Sequence, residues 1–331
     1  MENDAEAFDL IIVGAGPIGL AAACAAREAR LRYVVIDKAG ICQSITEFAP
    51  RQSFYSPADE LEIGGVPFPI AGDEKPRRED TLAYYRAVVA SLRLNIRSWE
   101  RVDAVRPDGD GLAVTTVQEP DGAWTRVAQA RNVLLANGVW DQPRRLDVPG
   151  AALRKVISRY IDPTPYYGRN CLVVGGGNSA AEVAMALSKA GAHTRMAMIE
   201  GNWDACHLRP FVLREMLLIV EERKVLPQFC CRVARIDVAS VTLETPAGAE
   251  TIDNDFVFAM IGNDPDTRLL EAAGVEVCEG DRRPVYDEAT FETRVPGLYV
   301  AGSITREPHI VNGRPRATKI VNDIAKRLGK A

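Results

Sequence analysis

The chain has 331 residues, 47% hydrophobic and 26% charged, with a formal net charge of −5. At about 150 residues per domain that length predicts two domains with buried cores, and the composition excludes a disordered or fibrous protein. No global positive field favours nucleic acid or an anionic membrane surface, so neither is expected as a partner.

The N-terminal stretch Met1–Ala7 carries three acids, unlike a basic signal peptide, and no run of about eighteen apolar residues follows. A cytoplasmic protein is therefore expected. Phe8–Val13 reads as a buried parallel strand, Gly14-Ala-Gly16-Pro17-Ile18-Gly19 as a turn into an alanine-rich helix reaching about Arg30, and Tyr33–Asp37 as a second strand. That is a complete βαβ unit. Residues 40–78 are rich in Pro and Gly with little periodicity and read as a functional loop, followed by a helix over about Glu79–Leu94. Turns at Asp108–Gly111 and Asp121-Gly122 separate short strands before the buried strand Asn132–Ala136, which ends at Asn137-Gly138.

Pro143, Pro149 and Gly150 mark a hinge, and the βαβ grammar then returns, with Gly175 standing 161 residues after Gly14. Its parts are the strand Cys171–Val174, the turn Gly175-Gly176-Gly177-Asn178-Ser179-Ala180, a helix to Lys189 and a strand Thr194–Ile199. A helix over Pro210–Arg223 and short strands lead to Phe256–Ile261, with Gly262–Pro265 as the return hinge. The tail holds the strand and turn Leu298–Ser303 and a helix whose apolar stripe, Ile320, Ile324 and Leu328, has the spacing of core or dimer packing.

The glycine spacing has a chemical reading. In such a turn the first glycine makes the bend, the second lets a pyrophosphate approach the backbone, and the third permits close helix packing, while unpaired helix amides face the phosphates. Asp37, 23 residues after Gly14, stands where a carboxylate accepts hydrogen bonds from ribose hydroxyls. Ala180 replaces the third glycine of the second turn, as the fingerprint allows. Two sites call for two dinucleotides, and flavin with nicotinamide makes a hydride relay. The second acid, Glu200, would repel a 2′-phosphate or bind a ribose diol, which favours NADH, with NADPH as the alternative if Arg195 or Arg209 reaches the site.

Seven cysteines (Cys24, Cys42, Cys171, Cys206, Cys230, Cys231, Cys278) without a CxxC, and three unpaired histidines, support neither a disulfide framework nor a metal site. Cys42 reads as a buried thiol more than as a catalytic one, and Cys230 and Cys231 as strand-core residues.

Phe54–Phe68, Lys75–Arg78, Tyr84-Tyr85-Arg86, Gly176–Ala180, Asp255–Gly262 and Asn312-Gly313 give the chain a resemblance to thioredoxin-reductase-like flavoproteins over its whole length. Among these it looks closest to the YpdA-type bacillithiol disulfide reductases. The resemblance implies an α/β fold with two Rossmann-like dinucleotide-binding domains, the FAD domain discontinuous: residues 1–140 and 267–331 around FAD, and 150–262 around NAD(P)H. It assigns Gly14, Gly16, Pro17, Gly19, Asp37, Lys38, Ser44, Gly138, Gly302 and Ser303 to FAD. Gly175, Gly177, Asn178, Ser179, Ala180, Glu200 and Gly262 fall to the nicotinamide cofactor. It also implies a homodimer and motion of the second domain about 139–150 and 262–266.

Two departures bear on the chemistry. Ser158–Asp162 occupies the place where thioredoxin reductases carry Cys-x-x-Cys-Asp, keeping only Asp162, and Ile18 stands where the YpdA type has a cysteine. The expected activity is thus an FAD-dependent NAD(P)H oxidoreductase whose acceptor is a low-molecular-weight disulfide or a small electron-transfer protein, as in ferredoxin/flavodoxin-NAD(P) reductases. A non-enzymatic redox sensor and, more remotely, a monooxygenase are the other readings. Asp162 and His309 are the candidate catalytic groups, His309 as a proton donor or acceptor.

Overall fold

The computed structural model describes residues 6–70, 74–160, 162–305, 307 and 309–330. The chain divides into two compact units, Met1–Gln142 with Asp264–Ala331, and Pro143–Asn263.

The first unit is built on a sheet in the order β3-β2-β1-β6-β5-β4, comprising β1 (Glu6–Val13), β2 (Tyr33–Asp37), β3 (Ile96–Ser98), β4 (Glu100–Asp108), β5 (Gly111–Gln118) and β6 (Thr125–Leu135). β1 pairs in parallel with β2 (Leu10 opposite Tyr33) and β6 (Val13 opposite Leu135), and the tail strand Leu298–Val300 adds in parallel to the far side of β6. β1 is apolar at successive positions because both its faces are covered. Leu10 and Ile12 join the cluster under the helices, whereas Phe8, Ile11 and Val13 face a second cluster with Val34, Ile36 and Val300. β4 and β5 form an antiparallel flap, and β5 alternates in burial as a one-sided strand should.

Helix α1 (Pro17–Glu28) is buried from Ile18 to Ala26, because its run of alanines lets it sit close to the sheet. It stops before the expected Arg30, whose φ of 54° ends the helix. A short helix α2 (Gln43–Thr46) interrupts the long loop, and α3 spans Arg78–Leu92. The C-terminal helix Ile310–Arg327 packs along α1. Its Ile320 and Ile324 are core residues and Leu328 is half-buried against the same cluster, so the apolar stripe serves this unit's interior.

In the second unit five parallel strands run in the order Val225–Gln228, His193–Ala197, Asn170–Val174, Phe256–Ala259 and Val156–Ile157. Helices Asn178–Lys189 and Pro210–Glu221 accompany them, with a separate antiparallel sheet of Arg232–Ile236, Ser240–Thr245 and Gly248–Asp253. The strand expected to reach Ile199 ends at Ala197, and Ile199 is exposed. Neither Cys230 nor Cys231 is a strand residue, since the strand starts at Arg232: Cys231 is buried in the core, as expected, whereas Cys230 is exposed, at φ 52°.

Candidate functional site

At the first glycine turn three glycines do three different things. Gly14 has φ 105°, and any side chain there would lie 2.6 Å from Ala136 O, so the turn is pressed onto the end of β6. A side chain at Gly19 would collide with Gly14 O, which fixes how closely α1 sits on β1. Gly16, by contrast, has nothing within 4 Å of where its Cβ would be. It is the N-cap of α1, no side chain caps the helix, and Pro17 takes the first helical position, so the amides of the first turn keep their donor capacity for a ligand. That open space over uncapped amides fits a pyrophosphate.

Asp37 closes the turn from β2. Its Oδ2 accepts from Ala15 N at 2.6 Å and its Oδ1 from Ala39 N at 2.8 Å. Burial pushes its carboxyl above the usual range, against the pull of these two amide bonds. Lys38 is held by Asp141 at 2.7 Å, and Ser44 lies half-buried in α2. Gly138, with φ 72°, approaches Ser303, whose Oγ would be 3.5 Å from a side chain at 138. Thus Gly14, Gly138, Gly302 and Ser303, far apart in sequence, line one edge of this unit. Neighbouring Asn137 leaves its Oδ1 buried with no protein donor. An orphaned buried acceptor beside an open phosphate cradle fits FAD.

Three contributors had no sequence signal of their own. Asn137 reads only as the end of a strand. Arg283 donates to Ser303 O at 2.6 Å and pins the tail turn from a separate segment. Glu307 is buried, accepts from His309 N at 3.2 Å and Asn312 Nδ2 at 3.3 Å, and pairs with Arg316 at 3.3 Å. His309 itself is exposed, at the N-cap of the C-terminal helix, with Nδ1 3.4 Å from Glu307 Oε1. Of the tail segment, Arg306 and Pro308 lie outside the described residues.

Position 18 is closed. Ile18 is buried, and side chains at Gly302 and Gly313 would come to 3.0 Å and 2.7 Å from its own. Cys278 of this unit is half-buried, and the unit's two buried thiols are no ready nucleophiles. Cys42 is buried with its Sγ 3.7 Å from Ala15 O, and burial raises its thiol strongly, while burial raises Cys24 to about 11.

The second turn repeats the design. Gly175 has φ 134° and is pressed on Met260 O, Gly177 is an uncapped N-cap with nothing within 4 Å, and Ala180 is fully buried against Gly175. A side chain at Gly176 would come within 2.5 Å of Glu200 Oε2, a buried oxygen with no donor in the protein. Glu200 is therefore half-buried against the turn, with one carboxylate oxygen left without a donor in the protein. Asn178 spends its Oδ1 on Arg209 N at 2.8 Å, which brings the backbone of Arg209 to the turn. Arg195 is elsewhere, paired with Glu250 at 3.2 Å. Ser179 is exposed in the first turn of its helix, and so is Gly262, at φ 93°, its carbonyl accepting from Arg144 N at 2.9 Å. Asp162 is exposed, its carboxylate taken up by Thr164 N at 2.8 Å, and Ile161 beside it lies outside the described residues.

Residues 11–302 match the pyridine nucleotide-disulphide oxidoreductase family. The chain belongs to that family. It is 33% identical over 324 residues to the bacilliredoxin reductase Bdr of Bacillus subtilis, covering 96% of this chain and 97% of that one. The bacillithiol disulfide reductase Bdr (YpdA) from Bacillus cereus superposes with a TM-score of 0.92 at 34% identity, over 97% of this chain and 100% of that one. A ferredoxin–NADP reductase of Ignicoccus hospitalis is 24% identical over 91% of each chain. As a member of the family the protein is an FAD-dependent NAD(P)H oxidoreductase with the two-dinucleotide-domain fold. Among the described residues no helix is long and apolar enough to cross a membrane, and no group of three His, Cys, Asp or Glu could hold a metal.

Proposed function

We propose that this oxidoreductase carries reducing equivalents from NADH through FAD to a low-molecular-weight disulfide of the bacillithiol disulfide class, as a homodimer in the cytoplasm. When bound, FAD accepts hydride from the reduced nicotinamide and hands electrons on singly or in pairs. The balance is NADH, a proton and one disulfide giving NAD⁺ and two thiols. The first glycine turn and Asp37 hold one dinucleotide; the second turn, Asn178 and Ser179 hold the other, with Glu200 accepting from its ribose hydroxyls. A free carboxylate there would repel a 2′-phosphate, which is the ground for NADH over NADPH. Glu307 orients His309 so that it can supply a proton to the departing thiolate, while Asp162 stays a solvent-facing acid. The observation that carries the disulfide is the near-full-length likeness to the two disulfide-type relatives.

Ile18 gives this route a particular form: no cysteine stands there to form a mixed disulfide, so the acceptor is reduced without a thiol of that position. The same observation, with the ferredoxin reductase likeness, favours a small electron-transfer protein as the second reading. An anaerobic experiment separates them. The enzyme is reduced with one equivalent of NADH and offered bacillithiol disulfide, ferredoxin or a quinone in stopped flow. Fast reoxidation by the disulfide is expected; reoxidation by ferredoxin alone removes the disulfide from the account, and reduced flavin that persists with every acceptor would make the protein a sensor. A monomer in sedimentation would overturn the dimer.

A further inference from the structure

The nicotinamide unit has a second cavity, of about 410 Å³, at the opposite edge of its sheet from the glycine turn. Parallel strands give the sheet a polarity: the turn at Gly175 follows the end of the strand Asn170–Val174, while the cavity is lined by the residues that begin strands, among them Asn170 and His193. Dinucleotides occupy the carboxyl ends of such strands, so this cavity is not part of that site.

Besides the imidazole of His193, three lining groups are left over after the protein's own pairing. Asn254 is 3% exposed, and its Nδ2 donates to Phe256 O at 2.7 Å and Asn170 O at 3.2 Å, which fixes the amide orientation. Its Oδ1 is then a buried acceptor with no donor in the protein. Such an atom is destabilising unless something donates to it. Among the cations, Arg195 is paired with Glu250 at 3.2 Å and Lys224 with Glu222 at 2.7 Å, whereas Arg223 has no carboxylate partner among the described residues. Asp253, which also lines the cavity, has no cationic partner among them either. Ile252 and Leu226 supply apolar surface to the lining.

We propose that this cavity binds a free α-amino acid with a medium-sized apolar side chain. One unpaired guanidinium suits its carboxylate, and one unpaired carboxylate with an orphaned amide oxygen suits its ammonium, which carries three donors. A simple anion would leave Asn254 Oδ1 unsatisfied and face Asp253; a simple cation would face Arg223. The cavity lies at the small end of ligand pockets, in the size range of an amino acid. This inference concerns a surface apart from the redox machinery and holds whatever the acceptor is.

The test uses full-length enzyme loaded with FAD and saturated with NAD⁺, so that both dinucleotide sites are filled. Calorimetric titration compares L-leucine with 4-methylpentanoate, which lacks the ammonium, and isopentylamine, which lacks the carboxylate. Leucine is expected to bind at least about tenfold more tightly than either, the size of one charge-assisted hydrogen bond. Arg223→Asn, which suits the left-handed backbone at that position, should weaken leucine about tenfold and leave isopentylamine unchanged. Asp253→Asn should weaken leucine equally and leave 4-methylpentanoate unchanged. Both side chains are exposed, so both variants should keep the wild-type flavin content and rate of flavin reduction by NADH. Equal binding of the three ligands, or no heat with leucine up to about 10 mM, would overturn the proposal.

Discussion

A single position at the first turn separates folding from cofactor retention. A side chain at Gly16 meets no protein atom, so Gly16→Leu should leave the melting temperature of the apoprotein within about 2 °C of wild type while abolishing the flavin absorbance of the purified protein. A yellow, fully loaded Gly16→Leu protein would show that the phosphate cradle lies elsewhere. Glu200 is the matching position of the second turn. Glu200→Arg removes the carboxylate and offers a donor to a 2′-phosphate, and the ratio of kcat/KM for NADPH over NADH should rise at least about tenfold. Unchanged selectivity would return Glu200 to a packing role against Gly176. The cysteines allow a third test. Burial raises the thiols of Cys42, Cys24, Cys171, Cys206 and Cys231, so at pH 8 they are protonated, whereas Cys230 is exposed. Iodoacetamide at pH 8 should label Cys230 first, and Cys42→Ser should keep turnover within about twofold. A Cys42→Ser enzyme with reduced flavin that no longer reaches the disulfide would make Cys42 the missing thiol. At this scale the sequence was informative wherever a residue type has one conformational use: the glycines and the two strand-end acids were legible. Asn137, Arg283 and Glu307 were not, because an orphaned amide, a guanidinium on a distant carbonyl and a buried acid are defined by neighbours brought in from other segments.

Between elements, the contact that shapes the first unit is α1 against the tail. Ile18 on α1 fills the space left by two glycines, Gly302 in the turn and Gly313 in the C-terminal helix. Gly313→Val drives a methyl group into the Ile18 side chain, which stands 2.7 Å from the new Cβ, and should cost about 1–3 kcal/mol of stability and loosen FAD. Adding Ile18→Ala should recover part of that loss. Additive losses in chemical denaturation would mean that the two positions do not touch. The sequence supplied the elements themselves from their periodicity, and their ends were off by a few residues where a positive φ or a cap sets the stop, as at Arg30. It misplaced Cys230 because an apolar pair beside a strand does not say which member turns away from the core.

Across the whole chain, Asp9 in the first strand and Lys330, beyond the last helix, meet at 2.6 Å. Burial opposes ionisation of Asp9, but the Lys330 ammonium and the Arg32 amide outweigh it and hold its carboxyl below the ordinary 3.8. A carboxyl whose folded pKa is depressed contributes stability above its unfolded value and loses it as pH falls through the folded one. Asp9→Asn should therefore cost about 1 kcal/mol at pH 7, discounted for the exposure of Lys330, with the difference from wild type closing below pH 3.8. A constant difference across pH would assign Asp9 a packing role only.

The sequence by itself determined that there are two dinucleotide units, because each is written locally: a buried strand, a glycine turn whose backbone only glycine adopts, a helix, and an acid at fixed distance. It also determined that position 18 carries no thiol. Tertiary structure alone decided that the tail strand Leu298–Val300 completes the first sheet beside β6, and that Ile18 is locked by Gly302 and Gly313. Only the fold, too, left Glu200 and Asn254 each with a buried oxygen that nothing in the protein satisfies. Those are long-range pairings, and pairing across hundreds of residues depends on which surfaces remain when all local choices have been made.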